Sequence, residues 1–149
     1  HIRHSVAIKN NVVTQDPMEK GLRKILNFGH TIGHALEGYS LANDRNPLLH
    51  GEAIAAGMIC EAYLAHRLNG LSEEELNDII LTFRSHYPDY TFGGEIYPDL
   101  LELMKNDKKN AGKQIGFALL SAIGQCSIDV FVEEPLILES LDFYRKLVS

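Results

Sequence analysis

Residues 52–68 constrain the fold more than any other part of the sequence, because this segment is apolar on nearly every face of a helix. A helix that is apolar all round has to be covered by other parts of the protein. Asn69-Gly70 follows it, and glycine readily adopts the left-handed conformation in which many helices end. The sequence therefore predicts a buried helix that stops at this dipeptide.

Further elements surround the buried helix. Asp16-Pro17 and the pair Ser72 and Glu75 are helix start signals, and Pro88 is a stop signal. Apolar periodicity between such signals predicts helices at residues 2–13, 17–39, 73–87, 98–104 and 135–147, with a loop at residues 42–47. Two apolar runs, at residues 115–123 and 126–132, predict a β-hairpin around Gly124-Gln125. The expected fold class is mainly α: one multihelical domain over residues 1–149 with a small hairpin.

Composition narrows the classes of molecule that this chain can bind. With 149 residues, 45% of them hydrophobic, the chain suits one globular domain, and a net charge of -6 without a basic run argues against nucleic acid and anionic membranes. No apolar run reaches the roughly 18 residues of a membrane span, and no signal peptide is recognisable. We expect a cytoplasmic protein that binds a small molecule or a protein. Cys60 and Cys126 are expected to be buried free thiols.

Residues 19–37 carry an unusual polar stripe. On one continuous helix, at about 100° per residue, an apolar stripe separates from an adjacent polar one. The polar stripe consists of Glu19, Arg23, Asn27, His30, His34 and Glu37. An ordinary solvent-facing stripe is dominated by lysine and glutamate pairs. A mixed stripe beside the core face is typical of the wall of a polar pocket.

Three histidines are candidate metal ligands. His30 and His34 lie one helical turn apart, and His50 begins the buried helix, so antiparallel packing would return it to the same pocket. A catalytic metal takes about three protein ligands, and no carboxylate ligand is obvious here. Glu37 or Glu52 could coordinate, but we prefer that they hold a ligand imidazole. Two partly buried histidines that are hydrogen-bonded within a helical bundle remain the alternative interpretation.

Cationic side chains fit an anionic, phosphorylated substrate. Arg23 can bind a carboxylate through two parallel hydrogen bonds, while Lys9 and the pair Lys108 and Lys109 can add positive charge. For each single lysine, a solvated surface position is the alternative interpretation.

The residues that carry chemistry also resemble a known family. The resemblance is carried by residues 26–37 (LNFGHTIGHALE), together with 21–23 (GLR), 50–53 (HGEA) and 107–109 (DKK). The sequence resembles 3-dehydroquinate synthase over essentially the whole chain. The family's N-terminal domain is absent, the first residue is not methionine, and the first residues have the pattern of a helix interior. We therefore expect a piece of a longer protein, its C-terminal domain.

The resemblance implies roles for individual residues. His30 and His50 would bind a divalent metal, zinc or cobalt, whose third ligand is a glutamate of the N-terminal domain. The implied catalytic residues are His34, which would assist proton transfer, with Lys9 and Arg23. The implied substrate-binding residues are Lys9, Glu19, Arg23, Asn27, His34 and either Lys108 or Lys109. NAD would bind mostly to the N-terminal domain.

The implied activity is that of a lyase of the shikimate pathway, which makes aromatic amino acids. It converts 3-deoxy-D-arabino-heptulosonate 7-phosphate to 3-dehydroquinate and phosphate, with NAD used catalytically, in a homodimeric parent enzyme. The isolated fragment is expected to be inactive. The alternatives are another sugar-phosphate cyclase, a metal-dependent alcohol dehydrogenase relative, and a non-catalytic helical module for metal binding or dimerisation.

Overall fold

The computed structural model describes residues 28–108, 114–122 and 125–149. Within these ranges the chain forms five α-helices, a 3₁₀ turn at Gly94–Ile96 and one two-stranded sheet. The elements are α1 (His30–Asn43), α2 (His50–Leu68), α3 (Glu73–His86), α4 (Tyr97–Lys108), β1 (Gln114–Ala122), β2 (Gln125–Glu133) and α5 (Glu134–Val148). The expected mainly helical fold with a small hairpin is confirmed. The predicted helix at residues 2–13 lies outside the described residues.

Helix α2 is the centre of the domain. It packs against α1, α3, α5 and β1, and its buried residues run from Ala53 to Ala65. It ends as predicted: Asn69 is the C-cap, Gly70 has a φ of 85°, and the Leu71 amide donates back to the Ala65 carbonyl at 3.3 Å. No helix in the described ranges is both long enough and apolar enough to cross a membrane.

The later elements also agree with their sequence signals. The Ser72 hydroxyl caps α3 by accepting a hydrogen bond from the Glu75 amide at 3.1 Å. Strands β1 and β2 pair antiparallel, with Ile115 opposite Val132. Helix α4 continues to Lys108, beyond the predicted end at residue 104, and Lys105 in this extension pairs with Glu134 at 3.2 Å.

The predicted continuous helix over residues 17–39 is wrong in its described part. Phe28 and Gly29 form a turn, α1 begins only at His30, and it runs to Asn43 rather than Tyr39. Gly29 has a φ of 83°, and a Cβ there would lie 2.3 Å from Cγ of Met58. Both its conformation and its packing therefore interrupt the helix. Residues 19–27 lie outside the described residues, so the polar stripe predicted over residues 19–37 is described only from His30 onward.

Two glycines let α1 and α2 cross at very short range. A Cβ added to Gly57 would lie 2.3 Å from the Gly29 carbonyl oxygen and 2.5 Å from the Gly33 nitrogen. The contact pairs run in opposite directions along the two helices, with Gly29 beside Met58, and Glu37 beside His50. The helices are thus antiparallel, as predicted, and the N-terminus of α2 lies beside the second turn of α1.

Candidate functional site

Three imidazoles meet where α1 and α2 begin. His30 is the first residue of α1, His34 lies one turn later, and His50 is the first residue of α2. The ring centroids are 5.1 Å apart for His30 and His34, 6.1 Å for His30 and His50, and 6.0 Å for His34 and His50. The structure therefore brings together all three histidines that the spacing and antiparallel packing predicted to converge.

Two of these rings have a defined acceptor at Nδ1. Nδ1 of His30 lies 3.2 Å from the Phe28 carbonyl oxygen, and Nδ1 of His50 lies 3.1 Å from Oε1 of Glu37. An acceptor at Nδ1 favours the tautomer that carries its proton there, which leaves the lone pair on Nε2 for a metal ion. His30 and His50 thus have the arrangement that ligand imidazoles use.

The two candidate glutamates have different partners. Both carboxylate oxygens of Glu37 lie within 3.2 Å of His50 Nδ1, which agrees with the preferred interpretation that a glutamate holds a ligand imidazole. Oε1 of Glu52 instead accepts a hydrogen bond from the Leu49 amide at 2.9 Å, at the start of α2. Glu52 therefore stabilises the helix end that presents His50.

The donor set fits part of a metal site. Two imidazoles on one tetrahedral zinc, at Zn–N distances of about 2.0–2.1 Å, have ring centroids roughly 5 Å apart. The rings of His30 and His34 are 5.1 Å apart, whereas those of His30 and His50 are 6.1 Å apart. Among the described side chains, however, no group of three or more His, Cys, Asp or Glu is arranged to hold a metal ion. The imidazole chemistry of the cluster suits a divalent ion such as zinc.

The loop that leads to His50 is held by partly buried polar contacts. The Ser40 hydroxyl donates to Oδ2 of Asp44 at 2.7 Å and accepts from the Leu48 amide at 2.9 Å. The Tyr90 hydroxyl donates to the same carboxylate oxygen at 2.6 Å, and burial together with this carboxylate raises the pKa of Tyr90. The position of His50 is therefore set by the loop as well as by the helix crossing.

Both cysteines are free thiols, as predicted, and Cys60 is buried as expected, but Cys126 is only partly buried. Burial raises the pKa of Cys60, and the neighbouring Glu61 carboxylate raises it further. Burial raises the pKa of Cys126 to about 12, again with a contribution from Glu61. Both thiols therefore stay protonated at neutral pH, which does not suit a thiolate metal ligand.

Sequence reasoning missed Glu61. This side chain is fully buried in α2, yet its oxygens accept hydrogen bonds from the Gly29 amide at 3.0 Å and the Ile32 amide at 2.8 Å. A single acidic residue in the interior of an apolar helix was the available signal, since a glutamate is rarely buried without strong partners.

The side chains of the other predicted site residues lie outside the part of the chain that the structure describes. Lys9, Glu19, Arg23, Asn27 and Lys109 lie outside it, and for Lys108 only the helical backbone at the end of α4 is described. Their assignment to substrate binding and catalysis stays a prediction from sequence.

Comparison with known proteins identifies relatives of this chain. The family model described as 3-dehydroquinate synthase C-terminal matches residues 1–110. A 3-dehydroquinate synthase from Parabacteroides distasonis is 48% identical over 145 residues, which make up 97% of this chain and 41% of that protein. The chain therefore spans less than half the length of this curated relative.

Solved structures share the fold. A 2-deoxy-scyllo-inosose synthase complexed with carbaglucose-6-phosphate, NAD+ and Co2+ is 28% identical, with a TM-score of 0.67 over 93% of this chain and 38% of that one. A 2-epi-5-epi-valiolone synthase from Streptomyces hygroscopicus, with NAD+ and Zn2+ bound, is 22% identical, with a TM-score of 0.65 over 92% of this chain and 37% of that one. The family model and the curated relative together show that this chain belongs to the 3-dehydroquinate synthase family, within the part described as the C-terminal domain.

Proposed function

We propose that this chain is the metal-binding half of a 3-dehydroquinate synthase. In this proposal it acts with an N-terminal nucleotide-binding domain to convert 3-deoxy-D-arabino-heptulosonate 7-phosphate to 3-dehydroquinate and phosphate. The observation that carries the proposal is the histidine cluster, in which His30 and His50 each have an acceptor at Nδ1 and their ring centroids are 6.1 Å apart. The 48% identity to a 3-dehydroquinate synthase supports the choice of reaction.

His30 and His50 hold the metal in this proposal, and Glu37 orients the His50 ring. Lewis-acid polarisation of a substrate hydroxyl would come from the metal, and reversible hydride acceptance from NAD. The 2-deoxy-scyllo-inosose synthase structure, which contains both NAD+ and Co2+, supports this pair of cofactors. Zinc or cobalt suits imidazole nitrogen ligands.

The remaining roles are assigned to side chains around the metal. His34, whose ring centroid is 5.1 Å from that of His30, would move a proton between a ring nitrogen and the substrate hydroxyl. Arg23 and Lys9 would bind the substrate carboxylate and hydroxyls, because cationic groups at fixed positions hold an anionic substrate in its reactive geometry. Asn27, with Lys108 or Lys109, would contact the phosphate end. Glu19 would support this network.

The chain alone is inactive in this proposal, because a third metal ligand and the nucleotide site would come from the N-terminal domain. A metal site that lacks one of its protein ligands binds the ion weakly, since each missing ligand removes part of the coordination energy. We further propose that the parent enzyme is a cytoplasmic homodimer.

Zinc titration calorimetry tests the metal site. We expect tight binding to the natural polypeptide that contains this chain, weak binding to residues 1–149 alone, and a large loss of affinity in both His30→Ala and His50→Ala. His86→Ala is the matched control, because His86 is an exposed histidine of α3 whose Nδ1 faces the Thr82 carbonyl. Undiminished zinc affinity in His30→Ala would refute the assignment.

A second candidate reaction is that of another sugar-phosphate cyclase, favoured by the structural likeness to 2-deoxy-scyllo-inosose synthase. Phosphate release separates the two: the natural polypeptide should release phosphate from the heptulosonate phosphate and not from glucose 6-phosphate. The opposite preference would replace the first proposal with the second.

A further inference from the structure

We propose that Glu61 is a positioning residue for the metal ligand His30: its buried carboxylate fixes the turn from which α1 begins. This inference rests on the proposed function, in which His30 binds a metal. Glu61 lies three turns along α2, far from His50, so it would act on the site through the backbone of α1.

Glu61 binds the backbone on both sides of His30. Its Oε1 accepts from the amide of Gly29, the residue before His30, and its Oε2 accepts from the amide of Ile32, two residues after it. Amides at a helix N-terminus have no partner within the helix, and the helix dipole favours a negative charge there. The carboxylate therefore meets two donors and a favourable field at one place.

The same turn also holds the His30 ring. The acceptor of His30 Nδ1 is the carbonyl oxygen of Phe28, and that carbonyl belongs to the peptide group whose nitrogen is the Gly29 amide. Glu61 thus binds one end of a peptide group while the imidazole binds the other. Displacement of this peptide would move both the backbone of His30 and the acceptor that sets its tautomer.

A carboxylate suits this position better than its neutral analogue. Its two oxygens accept one amide each, whereas glutamine has one carbonyl oxygen and an NH₂ group that would face the second amide. Gly29 is the N-cap of α1 and has no side-chain acceptor of its own, so the Glu61 carboxylate is the acceptor for the Gly29 and Ile32 amides of this turn. Burial of the charge at 0% exposure is consistent with a role that an apolar residue could not fill.

The test compares zinc affinity with folding in the natural polypeptide. Glu61→Gln should lower zinc affinity, measured by competition with a chromophoric chelator, by about 10- to 100-fold, as is usual when the group that orients a ligand is lost. Leu141→Ala is the control for general destabilisation, because Leu141 is fully buried on α5. It should lower the melting temperature of the metal-free protein and leave zinc affinity unchanged.

If Glu61→Gln does not fold, Glu61→Asp keeps the charge but withdraws it by one methylene, and it should weaken zinc binding in the same way. Wild-type affinity in either folded variant would overturn this inference, provided that His30→Ala still abolishes binding. Failure of the wild-type protein to bind zinc through His30 would instead overturn the proposed function together with this inference. A loss of zinc affinity in Leu141→Ala equal to that in the Glu61 variant would reduce Glu61 to a structural role.

Discussion

Replacement of Gly57 by alanine should separate α1 from α2 at the point where they cross. The new Cβ would lie 2.3 Å from the Gly29 carbonyl oxygen, 2.5 Å from the Gly33 nitrogen and 2.6 Å from the Gly33 Cα. All three neighbours are backbone atoms, which cannot rotate away as the end of a side chain can. Because ordinary van der Waals contact begins near 3.4 Å, the helices must move apart by about 1 Å.

The energetic cost of this change follows from overpacking. Forcing extra volume into a well-packed core costs typically about 1–3 kcal/mol, and backbone contacts place Gly57→Ala at the upper end of that range. A helix-interior glycine otherwise gains roughly 0.5–1 kcal/mol on replacement by alanine, so the net loss should be about 2 kcal/mol. The free energy of unfolding, measured by urea denaturation, should fall by this amount.

Gly38→Ala in α1 is the matched control. A Cβ there would lie 3.6 Å from Cδ1 of Leu103, which is ordinary contact, so we expect a stability equal to or slightly above that of the wild type. The separation of the helices should also displace His50 from His30 and weaken zinc binding in Gly57→Ala alone. If Gly57→Ala unfolds at the same urea concentration as Gly38→Ala, α1 and α2 do not cross as closely as these distances require.

Two further predictions concern the His50 acceptor and the core tyrosine. Glu37→Gln should weaken zinc binding by about 10- to 100-fold in calorimetry, because a carboxylate no longer orients His50. Glu102→Gln, on the exposed side of α4, is the control and should leave zinc affinity unchanged. Equal zinc affinities of the two variants would exclude this role for Glu37. Burial raises the pKa of Tyr144 from 10.0 to about 12, so its neutral form stabilises the fold fully below pH 10, and that contribution is lost as the pH rises through 12. Urea denaturation at a series of alkaline pH values should show that the free energy of unfolding declines less steeply with pH in Tyr144→Phe than in the wild type. This variant also loses the hydrogen bond from the Tyr90 amide, worth about 1 kcal/mol at every pH. An unchanged slope would contradict the raised pKa of Tyr144.

The elements that the sequence predicted well are those governed by local signals. The buried helix α2, the cap at Ser72, the left-handed Gly70 and the β-hairpin all depend on residues within a few positions of one another. The start of α1 was mispredicted because it depends on a distant contact. Gly29 also fits the periodicity of a helix interior, and only the approach of Met58 from α2 and the acceptor oxygens of Glu61 explain why the chain turns there.

The histidine cluster also combines features set by local spacing with features set by distant contacts. Convergence of His30, His34 and His50 followed from a four-residue spacing and one antiparallel crossing, so sequence was sufficient for it. Spacing could not distinguish ligands from a neighbouring acid or base, because all three residues are histidines. The structure adds an acceptor at Nδ1 of His30 and of His50, and one of these acceptors is a backbone carbonyl that no side-chain pattern encodes. The Gly29 amide of the same turn donates to the buried Glu61, so a residue of the core contacts the backbone beside His30 as well as the residues of the motif.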